Sequence, residues 1–388
     1  MADGLLNKAS IILTPTGYKA GTLYNVAPVV EPYEDFDFAR TSTATRINSS
    51  GLVSNVATGV PRISYDSNGE NGHILLEPTS TNLFDYSEDF SQWTNRNVPL
   101  VSSSIVSPEG TNNATELNIT NGSGHFLLIE TSVDSSKAYT FSFYVKRGTA
   151  TALSFRIRDI TNSADIIAPT SYYSQTSSDW QRVDFTFTTP STCNSIRSYV
   201  LSDGGSTGTV FIWGAQLEEL PYATSYIPTL TGSLETRATE TANGAGSADL
   251  INSSEGVLYA EIAALSDVDG RWISLSNGTT NQRVSIAFQA DDIRLYIKNA
   301  SGLIWDYTYT SANIFNYNKI ALKYKGGDYA LWINGTEVST DSNSNLLSGL
   351  NSLQFDSGGG SSDFYGKCKA LAVFNEALSD AELNNLTG

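Results

Sequence analysis

The chain has 388 residues, and its 23 Lys and Arg against 40 Asp and Glu give a formal net charge of −17. That charge opposes binding to nucleic acid, whose phosphates need clustered cations. Charged residues make up only 16% of the sequence and aromatic residues 11%, while Ser, Thr, Asn and Gly fill much of the rest, which suits strands joined by turns in two or three domains rather than long charge-rich helices.

Cys193 and Cys368 fall in different predicted domains, which excludes a disulfide framework and a Cys-based zinc site and leaves two buried small hydrophobes. His73 and His125 lie in Gly-flanked segments without a partner pattern, so neither is read as catalytic. No apolar run is long enough to cross a membrane, and Met1 to Pro15 lacks the basic start and apolar core of a signal peptide, so first folding is expected in a cytosol.

From Asn7 to Asn25 the only apolar alternation is Ile11 and Leu13, broken by Pro15 and Gly17. Acidic EPYEDFDF follows, then Ser/Thr-rich text carrying Arg40 and Arg46. This low-hydrophobicity stretch predicts extended chain laid against something larger, and residues 1–80 read as an attachment region. The block from Asp35 to Phe90, with DFDFARTSTATRINSSGLV, GVPRISYD and GHILLEPTSTNLFDYSEDF, resembles a junction module of tailed-phage structural proteins.

Residues 81–228 show the period-two alternation of half-buried strands. Tyr139, Phe141, Phe143 and Val145 share one face, as do Leu153, Phe155 and Ile157, and Val183, Phe185 and Phe187. TVFIWGAQLE is apolar on both faces, the pattern of a central strand covered on each side. Asp203-Gly204-Gly205 marks a turn, and the regular spacing of short strands predicts an antiparallel sandwich. NLFDYSEDFSQW at the start and IWGAQLEELPYATSYIPT at the end resemble the two edges of a carbohydrate-binding-module-like jelly roll.

Residues 229–249 read as a linker or a leading strand, and a second strand-rich region occupies 250–388. Leu258, Ala260 and Ile262 alternate, as do Val284, Ile286 and Phe288, then Ile293, Leu295 and Ile297, then Ile320, Leu322 and Tyr324. YALWINGTEV places Asn334-Gly335 between two strand-like halves, a hairpin signal. Ser379 and Glu382 form a capping-box pattern ahead of a short C-terminal helix. Hairpin and helix together resemble a concanavalin A-like sandwich of the laminin-G type. The predicted fold class is all-β: two antiparallel β-sandwiches, a jelly roll and then a concanavalin A-like domain, preceded by an extended N-terminal attachment region.

No constellation of acid, base and nucleophile is written in the chain. The neighbours Glu218-Glu219 and Asp291-Asp292 point to opposite sides of a strand and cannot flank one glycosidic bond. Gly358-Gly359-Gly360 lacks the Lys-Ser/Thr pair of a phosphate loop. The expectation is a protein that is not an enzyme. Sugar recognition needs flat aromatic faces with nearby polar groups, and Trp272, Trp305, Tyr307 and Tyr309 are the candidates in the second sandwich. Trp305, Tyr307 and Tyr309 share parity, so they line either a binding face or the core. Trp180 has the opposite parity to Val183, Phe185 and Phe187, which puts it on the outer face of the jelly roll. Trp332 is off-parity from Tyr329, Leu331 and Ile333, where both faces could be covered. Calcium is the one cofactor that the sandwich resemblances imply, with Asp267, Asp269 and Asp363 as oxygen ligands near Gly-containing turns; Gly278, standing where an EF-hand places its bidentate Glu, excludes that loop type. Asn118, Asn277 and Asn334 start Asn-x-Ser/Thr triplets, read as by-products of Asn/Thr-rich turns.

These resemblances imply a phage virion component, a head fibre, capsid decoration or tail fibre. It would be held to capsid or tail subunits by its N-terminal region and would touch host-surface glycans non-covalently for adsorption. A homo-oligomer is expected, with no nucleic-acid partner and no membrane insertion, although no heptads support a coiled coil. The alternatives are a purely structural cement or spacer and a polysaccharide-degrading enzyme.

Overall fold

The computed structural model describes residues 4–26, 35–102, 105–120, 124–202, 206–267 and 270–388. The Asp203-Gly204-Gly205 turn and Asp269 lie outside the described residues. The architecture is nearly all β, built of antiparallel sheets.

The jelly roll packs two five-stranded sheets. One runs in the order Thr94–Arg96, Phe126–Ser132, Ser195–Ser202, Ser154–Asp159, Ala164–Ser171. The other runs Leu100–Ser102, Thr115–Ile119, Gly208–Glu218, Ala138–Arg147, Gln181–Thr188. The alternating residues of the sequence meet in the core between them: Tyr139, Phe141, Phe143, Val145, Leu153, Phe155, Ile157, Val183, Phe185 and Phe187 are all buried there. Phe155 and Phe185 stack across the two sheets. The strand Gly208–Glu218 is central, with Val210, Ile212, Ala215 and Leu217 in this core and Trp213 buried on its other side. Each fully buried aliphatic or aromatic side chain contributes roughly 1.5–3 kcal/mol relative to exposure.

In the second sandwich the five-stranded sheet Gly302–Tyr309, Asp292–Asn299, Arg283–Gln289, Arg271–Ser276, Ser352–Gln354 faces a larger sheet. The larger one runs Thr336–Asp341, Tyr329–Ile333, Asn318–Lys325, Glu255–Ala264, Gly366–Phe374, His73–Leu76, Ile63–Ser64. Ile273, Val284, Ile286, Leu295 and Ile297 from one side meet Leu258, Ile262, Ile320 and Leu322 from the other. At the hairpin tip Asn334 has φ 49° and Gly335 φ 79°, the pair of left-handed residues that a tight two-residue turn needs. The helix Asp380–Thr387 opens as its capping box requires, with the Ser379 N–H donating to Glu382 Oε2 at 2.9 Å. Its Leu383 and Leu386 cover the outer side of the large sheet together with Trp332, Tyr259 and Phe374, which accounts for the off-parity position of Trp332.

The N-terminal segment differs from the extended attachment region expected of residues 1–80. Ala9–Leu13 pairs with Leu371–Phe374, and His73–Leu76 pairs with Gly366–Cys368, so two early strands share one edge of a late strand. Ile11, Leu13, Leu23, Phe36, Phe38, Ile74 and Leu76 are buried in the core of the second sandwich. The 229–249 stretch supplies two strands: Glu235–Arg237 pairs with Ser80–Asn82, and Thr241–Asn243 pairs with Phe36–Ala39. Besides these apolar side chains, a set of charged ones is buried. Arg40, Arg62, Glu77, Arg237 and Glu240 are each at most 2% exposed. Arg40 Nη1 donates to Glu240 Oε1 at 2.6 Å, and Arg62 donates to Glu240 through Nε at 2.8 Å and through Nη2. Arg62 and Arg237 also pair with Glu77 Oε2 at 2.8 and 3.1 Å. Burial alone would push the Glu77 carboxyl up, but Arg237 and Arg62 hold it down at about 2. Glu77 in turn accepts from the N–H and Oγ of Ser225, at the end of the jelly roll, at 2.8 and 2.6 Å. One buried ionic joint therefore ties the N-terminal segment to both sandwiches.

Candidate functional site

The jelly roll has two outward faces, and the chain itself closes one. Trp213, Tyr144 and Tyr226 project from the sheet centred on Gly208–Glu218 and the segment after it, with ring centroids 4.7 Å (Trp213 to Tyr226) and 5.5 Å (Trp213 to Tyr144) apart. The hairpin formed by Ala44–Ile47 and Val53–Val56 lies over them, packing Val53 and Ile47 against these rings. Trp180 flanks the same cluster, half-buried, and donates its Nε1–H to the Val106 carbonyl at 2.8 Å.

The opposite face remains open. Register places Glu130 beside Arg197, Arg197 beside Arg158, and Arg158 beside Asp165, a row across four strands. A second row sets Leu128 beside Tyr199 and Tyr199 beside Arg156. The two rows are bound by their own charges: Arg197 Nε reaches Glu130 Oε2 at 3.0 Å within the first, and Arg156 Nη2 of the second reaches Asp165 Oδ1 at 2.7 Å. Arg197 and Glu130 remain 41% and 49% exposed. The Arg156 guanidinium lies 5.4 Å from the Tyr199 ring centroid, and Phe126 meets that ring edge-on at 6.1 Å. Exposed Arg96, paired in register with Phe126, extends the patch. Four arginines against two carboxylates make this face cationic in a chain of net charge −17. Guanidinium groups are planar donors suited to paired hydroxyls or a sugar carboxylate. Tyr199 is 6% exposed, so a sugar ring would meet the Arg156 plane over the tyrosine.

The aromatic residues singled out in the sequence do not form one site. Trp305 is 7% exposed in the core of the second sandwich, and Tyr307 and Tyr309 pack half-buried against the same core. Trp272 points outward from the five-stranded sheet, edge-on to Tyr296 at 6.0 Å and between Arg283 and Arg294 at 4.9 and 5.8 Å. Arg294 is held by Asp306 through two bonds of 2.8 and 2.5 Å. Asp267 is exposed, while Asp363 is half-buried, accepts from the Tyr365 hydroxyl at 3.2 Å and has its carboxyl pushed up by burial. Among the described residues no three His, Cys, Asp or Glu converge on a metal position; Asp269, the third aspartate of the expected set, lies outside them. Cys193 and Cys368 are buried and unpaired. Burial pushes both thiols up, Cys193 to about 11, away from reactivity.

Two features escaped the sequence reading. Arg156 and Arg158 alternate with Phe155 and Ile157, so their outward position was there to be read from the strand period. The pair Glu88 and Glu109 was not, because an Asn bridges them: Asn113 Nδ2 donates to Glu88 Oε2 at 2.9 Å and to Glu109 Oε1 at 2.7 Å. Burial, with Glu109 adding to it, pushes the Glu88 carboxyl up to about 7 against the opposing hydrogen bond from Tyr226.

Residues 81–206, about a third of the chain, match the family model of the carbohydrate binding domain. None of the curated proteins matches the chain. Among solved structures, the CBM40 domain of the Ruminococcus gnavus IT-sialidase bound to α2,3-sialyllactose is 20% identical, covers 38% of this chain and 94% of its own, and has a TM-score of 0.32. Domain 4 of a GH43 extracellular arabinanase from Geobacillus stearothermophilus, in complex with arabinotriose, is 13% identical over 39% of this chain and 73% of its own, again with a TM-score of 0.32. Likenesses this low add nothing to the assignment. The matched family and the two packed sheets agree, and the chain carries, at residues 81–206, a carbohydrate-binding module of jelly-roll-like β fold.

Proposed function

We propose that this protein is a tailed-phage virion component that holds host-surface glycans non-covalently, with the open sheet of its jelly roll as the contact face. The observation that carries the reading is the coincidence of the carbohydrate-binding match with the cationic face of Arg156, Arg158, Arg197 and Tyr199, while the other face is closed by the chain's own hairpin. The virion part rests on the resemblance of the Asp35–Phe90 block. Capsid or tail subunits would be met by the outer surface of the N-terminal segment rather than by a free arm, since that segment is built into the second sandwich. One shallow site binds weakly, and copies on one particle raise avidity roughly a hundredfold or more.

The spacer reading has one observation in its favour: the buried ionic joint links the N-terminal segment to the end of the jelly roll, where Glu77 accepts from Ser225. Purified chain added to host cells ahead of the phage separates the two. Blocked adsorption, together with density for the jelly roll projecting from particles in cryo-electron microscopy, supports glycan contact. Undiminished adsorption, with both sandwiches wedged between subunits, would leave the spacer.

A further inference from the structure

Where the hairpin, the jelly roll and the second sandwich meet, they frame a half-open cavity of about 240 Å³. Its wall carries Arg46 from the hairpin, Arg182 and Tyr144 from the jelly roll, and Lys367 and His73 from the second sandwich. Among the described residues Glu77 is the one carboxylate in the wall, and it is already claimed by Arg62 and Arg237. Arg46 spends Nη1 on the Tyr18 hydroxyl and the Ile63 carbonyl, at 3.1 and 3.2 Å. Arg182 gives Nη1 to the Thr224 carbonyl at 2.6 Å and Nη2 to Ser142 Oγ at 3.0 Å, and lies 5.5 Å from the Tyr144 ring centroid. The Nε–H groups of both arginines are buried and have no acceptor among the described residues. Burial pulls the Lys367 ammonium below its ordinary range, with only Glu77 opposing, as befits a cation short of counter-charge. The same burial, helped by Lys367 and Lys369, brings His73 down to about 4, so it adds no charge at neutral pH.

Two guanidinium side chains and an ammonium therefore line one hollow, beside a carboxylate that other arginines already hold, in a protein of net charge −17. We propose that this cavity binds a single oxyanion, a carboxylate or phosphate borne by one saccharide residue or free in solution, through Arg46, Arg182 and Lys367. The volume lies below the ~300 Å³ where pockets for drug-sized ligands begin, so the ligand is one sugar ring or smaller. This site is separate from the open sheet face and does not depend on it.

Calorimetric titration of the intact chain with sodium glucuronate and with inorganic phosphate, at ionic strength fixed by sodium chloride, tests the assignment. Saturable binding of one anion per chain is expected. Tighter binding of glucuronate assigns the site to an acidic saccharide, and tighter binding of phosphate to the free oxyanion. Lys367→Gln removes no hydrogen bond that holds the fold and is expected to weaken binding about tenfold or more, as is Arg182→Gln. Absence of saturable binding for both anions, or binding unchanged in both variants, would overturn the proposal.

Discussion

Replacing Glu240 by Ala removes the hub of the buried joint. Its Oε1 accepts from Arg40 Nη1 at 2.6 Å and Arg62 Nε at 2.8 Å, while Oε2 accepts from Arg62 Nη2 and from the Glu77 N–H at 3.0 Å. Without it, two guanidinium groups with no exposed side-chain surface lose their shared anion. Burial already pulls Arg40 below its ordinary range, Glu240 opposes that pull, and the charge of Arg62 adds to it. Hydrogen bonds to charged groups are worth ~1.5–3 kcal/mol each, so four would sum to ~6–12 kcal/mol if they were independent. Three of them come from only two arginines, however, and water enters the vacated space, which brings the expected loss to ~3–5 kcal/mol. In a cooperative unit of about 150–250 residues that lowers Tm by roughly 6–20 °C. Urea unfolding followed by tryptophan fluorescence, with calorimetry in parallel, measures it. A loss below about 1 kcal/mol would refute the view that this cluster holds the N-terminal segment and the two sandwiches together.

Two further outcomes follow from local geometry. Because the folded pKa of Glu88 is raised to about 7, the stability it contributes is complete below its ordinary range near 4.5 and is lost as pH rises through 7. Glu88→Gln is therefore expected to flatten the stability profile between pH 5 and 8 and to raise stability at pH 8 by up to about 3 kcal/mol; an unchanged profile in denaturant titrations across that range would contradict it. Gly335→Val forces a β-branched side chain to φ 79° at the hairpin tip and should cost about 1–2 kcal/mol in the same assay; full stability would mean that the turn relaxes to another type.

Strand periodicity made most of the two sandwich cores legible, since Phe141, Ile157 and Phe185, or Ile286, Leu295 and Leu322, announce their face by alternation alone. The Asn334-Gly335 turn and the Ser379/Glu382 cap were readable because each is written within a few residues. The placement of the N-terminal segment was not, because Ala9–Leu13 finds its partner in the strand Gly366–Phe374 at the far end of the chain and nothing local names it. Its polarity also misled. Arg40 and Glu240, 200 residues apart, are counter-charges buried against each other, whereas each alone reads as a solvated group. Trp305, Tyr307 and Tyr309 illustrate the limit of parity, which groups side chains on a face without saying whether that face is covered.

The measurement that bears most directly on the central claim is binding of the intact chain to an array of neutral and acidic bacterial surface polysaccharides, beside an Arg156→Ala/Arg197→Ala double variant. Binding that favours acidic glycans, weakens with added salt as exposed charges are screened and falls tenfold or more in the variant is the predicted result. Binding to no glycan, or binding untouched by the double substitution, would contradict the assignment of the open sheet as the recognition face.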